Sequence, residues 1–285
     1  MITLNSLSGG KTSSYIAVNY PADYNVFSLV RTTDRNCLFP DKKLRQIVSD
    51  KIGKEFIGTL EEDEIIYTML DLEQYIGEKI HWVSGKTFDE VVVRPGGKKF
   101  LPNKVMRFCT IEMKVQPIAE FWKENINEPI ETRIGFRANE QNRAKSMLNR
   151  CEEDGFIYHK FIVGKRGTLN KWENFKYQKP IFPLIEDAIY KDHVEAFWQD
   201  KPVRFAYMNN CIGCFHRNPI LLKHMSKRHP EKYQWFINQE LEVGYDTNNG
   251  GWKDGLKYQD IASWNTQMNL FDEDFSECDS GYCGL

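Results

Sequence analysis

The chain has 285 residues, of which 41% are hydrophobic, and its 38 basic and 40 acidic side chains leave a formal net charge of −2. That is enough apolar material to core one large domain or two small ones, and no run of about 18 apolar residues offers a membrane span. The near-balance of charge excludes a global field that draws in nucleic acid or an acidic membrane, so any such binding has to be local.

The first residues lack the charged-then-apolar layout of a signal peptide, since Lys11 follows only ten residues. The chain therefore reads as soluble and cytoplasmic, with no membrane partner. Seven cysteines, an odd number, then point to metal or redox chemistry rather than to a disulfide framework.

Residues 2–7 alternate loosely between apolar and polar and predict a strand; Gly9 and Gly10 break it, and residues 12–20 predict a helix ended by Pro21. In such a turn glycine lets the backbone approach a ligand, and the unpaired N–H groups of the first helical turn point at an anion, so phosphate is the natural occupant. Lys11 adds a mobile positive charge. Gly10-Lys11-Thr12 is not a Walker A loop, because that pattern needs a glycine where Asn5 stands. The bland alternative is an ordinary Gly/Ser turn capping a helix.

Residues 24–30 predict a buried strand followed by Thr32-Thr33-Asp34, and the segment 37–53 predicts a helix with apolar positions at Leu44, Ile47 and Val48. Residues 54–57 predict a third strand. Strands alternating with helices imply a parallel sheet covered on its faces, with ligands at the carboxyl ends of the strands, where the glycine turn lies.

Cys109 stands at the start of a predicted helix that Pro117 ends. Residues 133–136 predict a further strand leading into GFRANEQNRAK, which sets Arg137 and Arg143 on the ligand edge, suited to bidentate pairing with phosphate or to a solvated helix start. Cys211-Ile212-Gly213-Cys214 is a turn that aims two thiols at one point, as zinc and iron–sulfur sites require, though a redox dithiol looks the same. From about Gly244 the chain is rich in turn formers and ends in an acidic tail, which predicts a thinning of the fold.

Two basic stretches, one from Arg143 through Lys160, Lys165, Arg166 and Lys171, the other from Arg217 to Arg228, have Phe215, Tyr233 and Trp235 near the second for stacking. They read as nucleic-acid contacts or as solvated helix faces. His81, His159 and His193 carry no spacing signal and read as structural.

Six segments in order, SGGKTS at Ser8 to Ser13, FPDKK, RFCTIEMKVQP, GFRANEQNRAK, PIFPLIEDAIYKDHVEAF and CIGC, resemble the phosphoadenosine phosphosulfate reductase family of the adenine nucleotide α-hydrolase (PP-loop) superfamily, including its relative in DNA phosphorothioation. The resemblance runs along most of the chain. It implies a three-layer α/β/α fold with a mostly parallel central sheet of about five strands. Residues 1–243 form the PP-loop domain with the cysteine site, and residues 244–285 a C-terminal helical and irregular extension.

It further implies ATP, or phosphoadenosine phosphosulfate, held by Ser8, Gly9, Gly10, Lys11, Thr12, Ser13, Asp34, Arg137, Glu140 and Arg143, with Mg2+ bridging phosphate oxygens. Many members carry a [4Fe-4S] cluster on a Cys-Cys pair before a Lys-Val-x-Pro helix and on a later Cys-x-x-Cys. Lys114 to Pro117 fixes the register: Cys109 matches the first cysteine, Thr110 the second, and Cys211 and Cys214 the last two. With one ligand missing, three readings stand: a cluster on three cysteines with an open iron or with Cys37 as fourth ligand, a zinc site completed by His216, and unligated thiols.

Lys11, which ATP-splitting members keep, favours cleavage of ATP between the α and β phosphates to activate an acceptor for sulfur transfer. Lys11, Arg137 and Arg143 then do the chemistry, and a sulfur donor protein is implied. The chain's end at Cys283-Gly284-Leu285 is similar to the mobile cysteine of the reductases and favours reduction of a sulfated nucleotide to sulfite with a thioredoxin-like reductant. However, Tyr282 replaces the family's glutamate and its final histidine is absent. A reading of another class is a nucleotide-binding module of a larger complex with no turnover, to which Thr12, in place of the usual aspartate, also points.

Overall fold

A computed structural model describes residues 1–94, 96–244 and 251–265. Six strands, β1 (Ile2–Leu7), β2 (Tyr24–Ser28), β3 (Ile80–Val83), β4 (Ile130–Arg133), β5 (Ile157–Arg166) and β6 (Leu169–Ile181), form one sheet in the order β3-β2-β1-β4-β6-β5. All neighbours are parallel except β5, which runs antiparallel to β6 at the edge.

The helices are α1 (Lys11–Asn19), α2 (Lys42–Ile52), α3 (Glu64–Ile76), α4 (Phe88–Val91), α5 (Phe108–Thr110), α6 (Gln116–Asn125), α7 (Gln141–Leu148), α8 (Pro183–Glu186), α9 (Lys191–Trp198), α10 (Pro219–Arg228), α11 (Pro230–Val243) and α12 (Tyr258–Ser263). A π-helical turn, Ile111–Val115, joins α5 to α6.

Alternation along the strands sends side chains to two faces, and each face is covered. Leu4, Val26 and Ile130 pack under Ile118, Ala119 and Trp122 of α6. Leu7, Phe27 and Leu29 pack against Ala17 of α1, Met69 and Leu72 of α3, and Trp198 of α9. The chain is thus α/β, with a mostly parallel sheet between helices. No helix among the described residues is long and apolar enough to cross a membrane.

Local chemistry explains several boundaries. Asp41 caps α2 by accepting hydrogen bonds from the N–H groups of Lys43 (2.8 Å) and Leu44 (3.0 Å), and Gly53, at φ 63°, ends it in the left-handed region. Of the apolar positions expected to face the core on this helix, Val48 is buried whereas Ile47 is exposed.

Five expectations need correction. Pro117 does not end the helix that carries Cys109: it stands in the first turn of α6, where a missing N–H costs little, and the helix runs on to Asn125. Residues 54–57 form no strand: Phe56 fills the core, but the backbone makes only isolated bridges from Gly58 to Thr32 and Leu38, and β3 takes the third place. The strand expected at 133–136 pairs earlier, ending at Arg133, because the register with β1 and β6 sets it. The sheet has six strands rather than five, since the sequence reading did not anticipate the β5–β6 hairpin.

Finally, the fold does not thin out throughout the region after Gly244. Trp252, Tyr258 and Ile261 are fully buried in a third core with Phe88, Cys109, Tyr233 and Phe236. Glu240, wholly buried on α11, anchors this segment by accepting from the N–H groups of Trp252 (3.2 Å) and Tyr258 (2.8 Å). Replacing Glu240 by Ala leaves two buried donors unpaired. We expect a loss of about 2–5 kcal/mol in denaturant unfolding and greater tryptophan quenching by acrylamide; unchanged stability and quenching would show that this carboxylate does not hold the segment.

Candidate functional site

The glycine turn lies where β1 gives way to α1, at the carboxyl edge of the sheet. Gly9 has φ 78°, and a Cβ there would sit 2.6 Å from Cγ2 of Ile65, so both the conformation and the packing require glycine. Ser13 fixes the turn: its hydroxyl accepts from the Ser8 N–H (3.2 Å), donates to the Gly10 carbonyl (3.0 Å) and meets the Ser8 hydroxyl at 3.0 Å. The helix begins at Lys11, one residue earlier than expected, with no side chain capping its first turn. Lys11 itself ion-pairs with Glu195 on α9, and Trp198 of the same helix donates to the Lys11 carbonyl (2.9 Å).

The loop leaving β4 passes over this turn. A Cβ at Gly135 would lie 3.5 Å from Cγ2 of Thr12 and 3.9 Å from the Ser13 nitrogen. Beyond it, Glu140 gathers the two expected arginines: it accepts from the Arg137 N–H (2.9 Å) and Nε (3.1 Å) and pairs with Arg143. Arg143 also lies over the Phe136 ring, 4.5 Å from its centre. Asp34 is committed locally, accepting from Asn36 N–H and Nδ2 at 2.9 Å each.

On the other side of the turn, the helix that carries Cys109 bulges. The π turn is admitted by Gly85, where a Cβ would come within 2.3 Å of the Glu112 carbonyl, and Ser28 at the end of β2 donates to the Met113 carbonyl (2.8 Å). This places Thr110 and Lys114 between two cavities. One is lined by Ser6, Leu7, Ser8, Ser28, Thr110, Lys114, Val115 and Ile118. The other is lined by Cys109, Thr110, Met113, Lys114, Cys211, Cys214 and His216 with Phe88, Phe215, Phe236 and Trp252. Both share the wall of Thr110 and Lys114.

The Cys211–Cys214 turn is held from several directions. Ile212 N–H donates to the Leu60 carbonyl (2.8 Å), Cys214 N–H to the Cys211 carbonyl (3.0 Å), and Tyr258 hydroxyl to the Gly213 carbonyl (3.1 Å). Arg217 donates to the carbonyls of Asn209, Asn210 and Cys211, while Lys253 donates to those of Phe215 (2.6 Å) and Arg217 (2.9 Å). A Cβ at Gly213 would strike the Phe236 ring at 2.4 Å.

Burial pushes the Cys109 thiol up to about 12 and the Cys211 thiol well above its ordinary range. Burial, reinforced by Arg107, Lys253 and Lys104, lowers His216 to about 4. The imidazole is therefore neutral at pH 7, and its Nε2 is buried without a hydrogen-bond partner. Three thiols and a neutral imidazole around one cavity suit a soft or borderline metal in kind. As the side chains lie, no group of three or more His, Cys, Asp or Glu among the described residues is arranged to hold a metal ion.

The structure thus gathers Ser8 to Ser13 at one turn, with Gly135 of the loop that leads to Arg137, Glu140 and Arg143 packed on it, and Cys109, Cys211 and Cys214 around one cavity. Cys37, weighed as a fourth ligand, is buried outside that lining, and burial raises its thiol to about 12. Cys283 lies outside the described residues. The sequence reading missed Glu61, whose side chain is 1% exposed and whose Oε1 accepts from Lys114 Nζ at 2.9 Å. Only the long-range fold brings Glu61, Lys114 and Cys211 together, so no local signal marks them. No protein-family model, curated protein or solved structure matches this chain.

Two expectations test this geometry. Glu195→Gln frees Lys11 from an ion pair that is about one-third exposed, so affinity for inorganic pyrophosphate rises by up to about fivefold in calorimetry; weaker binding would mean that Glu195 instead orients the lysine for the anion. The buried thiols of Cys37, Cys109 and Cys211 all titrate above their ordinary value of 9.0 in the folded chain. Below pH 9 they are protonated in both states, and above it the unfolded chain loses the protons first. The buried hydroxyls of Tyr233 and Tyr258, also raised by burial, act in the same sense above pH 10, so the melting temperature of the metal-free protein should fall from pH 9 towards 12, whereas a flat profile would show these groups to be solvated.

Proposed function

We propose that the chain is an adenine-nucleotide-dependent enzyme of the phosphoadenosine phosphosulfate reductase family, with an adenine nucleotide α-hydrolase-like fold, that splits ATP between its α and β phosphates to activate an acceptor for sulfur transfer. The observation that carries this reading is the common wall: Thr110 and Lys114 border both the cavity beside Ser8 and the cavity ringed by Cys109, Cys211 and Cys214. A cavity at the first serine of the loop and a thiol-rich cavity that share a wall support a reading in which sulfur passes to a nucleotide-activated group.

The backbone from Ser8 to Ser13 and the start of α1 receive the β and γ phosphates, and Lys11 exchanges Glu195 for them. Arg137 and Arg143, spaced by Glu140, meet the negative charge that develops at the α phosphate, and Mg2+, when bound, would add further charge screening. Cys109, Cys211 and Cys214 are the residues that would hold a [4Fe-4S] cluster in this reading, and the cluster would supply iron for sulfur chemistry. The unpartnered Nε2 of His216 favours a second occupant of the same cavity, zinc on three cysteines and one histidine. Lys114, tied to Glu61, holds a positive charge on the wall between the two sites.

The test is metal and sulfide content in protein purified without oxygen, together with release of pyrophosphate from ATP. Near-stoichiometric iron and acid-labile sulfide, lost in Cys214→Ala, and pyrophosphate release reduced at least tenfold in Lys11→Ala are the expected results. Zinc lost in His216→Ala selects the second occupant. ATP binding without pyrophosphate release would sink the enzymatic reading and leave a nucleotide-binding module.

A further inference from the structure

Neither site uses the β5–β6 hairpin. Only its base belongs to the body of the fold: Gln178 to Ile181 pair with β4, and Phe161, Phe175 and Tyr177 pack around Trp122. Past that base the ribbon continues alone, and residues 162–174 are all exposed. At about 3.3 Å per residue, the stretch of β6 from Leu169 to Gln178 spans roughly 30 Å.

Register decides what the ribbon presents. Lys160 stands opposite Asn174, Ile162 opposite Trp172 and Lys165 opposite Asn170, with an irregularity between Ile162 and Gly164 that brings Lys165 into step. Opposed residues share a face, and alternate residues return to it. One face therefore carries Trp172 and Ile162, 57% and 50% exposed, between Lys160 and Lys165. Glu173 alternates to the other face, where it pairs with Lys171 (2.8 Å); Lys176, opposite Tyr158 at the base of the tryptophan face, is paired with Asp154 (3.0 Å). Neither Lys160 nor Lys165 has an ion-pair partner among the described residues.

We propose that this face binds single-stranded nucleic acid, with Lys160 and Lys165 on the phosphates and Trp172 stacked on an unpaired base. Cations flanking an aromatic plane match a strand whose charges flank its bases. A second copy of the chain fits the face poorly, because face-to-face pairing about a two-fold axis sets lysines against lysines. The hairpin leaves the sheet at the edge opposite the glycine turn, so a strand bound there is anchored rather than reacting. The proposal consequently stands whether or not the chain splits ATP.

The test is fluorescence anisotropy of a fluorescein-labelled oligodeoxythymidylate with the full chain across a salt series. Trp172→Ala should weaken binding by about tenfold. Lys160→Glu with Lys165→Glu should weaken it further and lower the slope of log affinity against log salt by about 1.4. Lys42→Glu, an exposed charge reversal on α2, serves as the control and should have little effect, and unchanged melting temperatures confirm that the variants fold. The proposal is overturned if the wild-type chain does not bind, if the hairpin variants bind as the wild type does, or if they lose only self-association in sedimentation or only attachment to vesicles containing phosphatidylserine.

Discussion

The contact on which the rest depends is the π turn at Ile111–Val115 seated against Gly85 and the end of β2. A regular helix satisfies each carbonyl with the N–H four residues on; the bulge disturbs that ladder, and Ser28 supplies a donor to the Met113 carbonyl at 2.8 Å. Because Ser28 closes the strand beside β1, this hydrogen bond locks the Cys109 helix to the carboxyl edge of the sheet. Thr110 and Lys114 are thereby held between the cavity at Ser8 and the cavity of the three cysteines.

That arrangement divides the electrostatic work. The start of α1 carries Lys11, paired with Glu195, and the loop that packs Gly135 on the glycine turn leads to Arg137 and Arg143, paired with Glu140, so each of these cations is balanced by a carboxylate. The cysteine cavity is walled by Phe88, Met113, Phe215, Phe236 and Trp252, a low-dielectric setting in which a thiol stays protonated until a cation replaces its proton. Lys114 stands at the junction, lining both cavities, and pairs with the buried Glu61 at 2.9 Å.

How much of this was legible follows from sequence distance. The glycine turn with its flanking strand and helix is a local feature, and β1 forms where periodicity places it, whereas the helix expected over 37–53 begins only at Lys42, after the Asp41 cap. The grouping of Arg137, Glu140 and Arg143 is also local, set by spacings of three on one helix start. The strand expected at 54–57 fails because an apolar run says that a segment is buried, not that it joins a ladder; Phe56 is buried without pairing. The hairpin escaped notice because residues 162–174 have no buried face, so the alternation that betrays a strand is missing.

The cysteine turn shows the same division at the level of single residues. Cys211-Ile212-Gly213-Cys214 is visible as a motif, but its shape is imposed from far along the chain: Leu60 pairs with Ile212, Phe236 forbids any side chain at Gly213, and Tyr258 and Lys253 clasp the carbonyls around it. Residues 251–265, which composition marks as loose, are therefore what stiffen the turn. They do so because Glu240 satisfies their N–H groups inside the core, where an unpaired donor is costly. The backbone of the thiol pair is thus fixed by contacts within the protein itself, so what freedom the cavity has lies in its side chains and not in the fold.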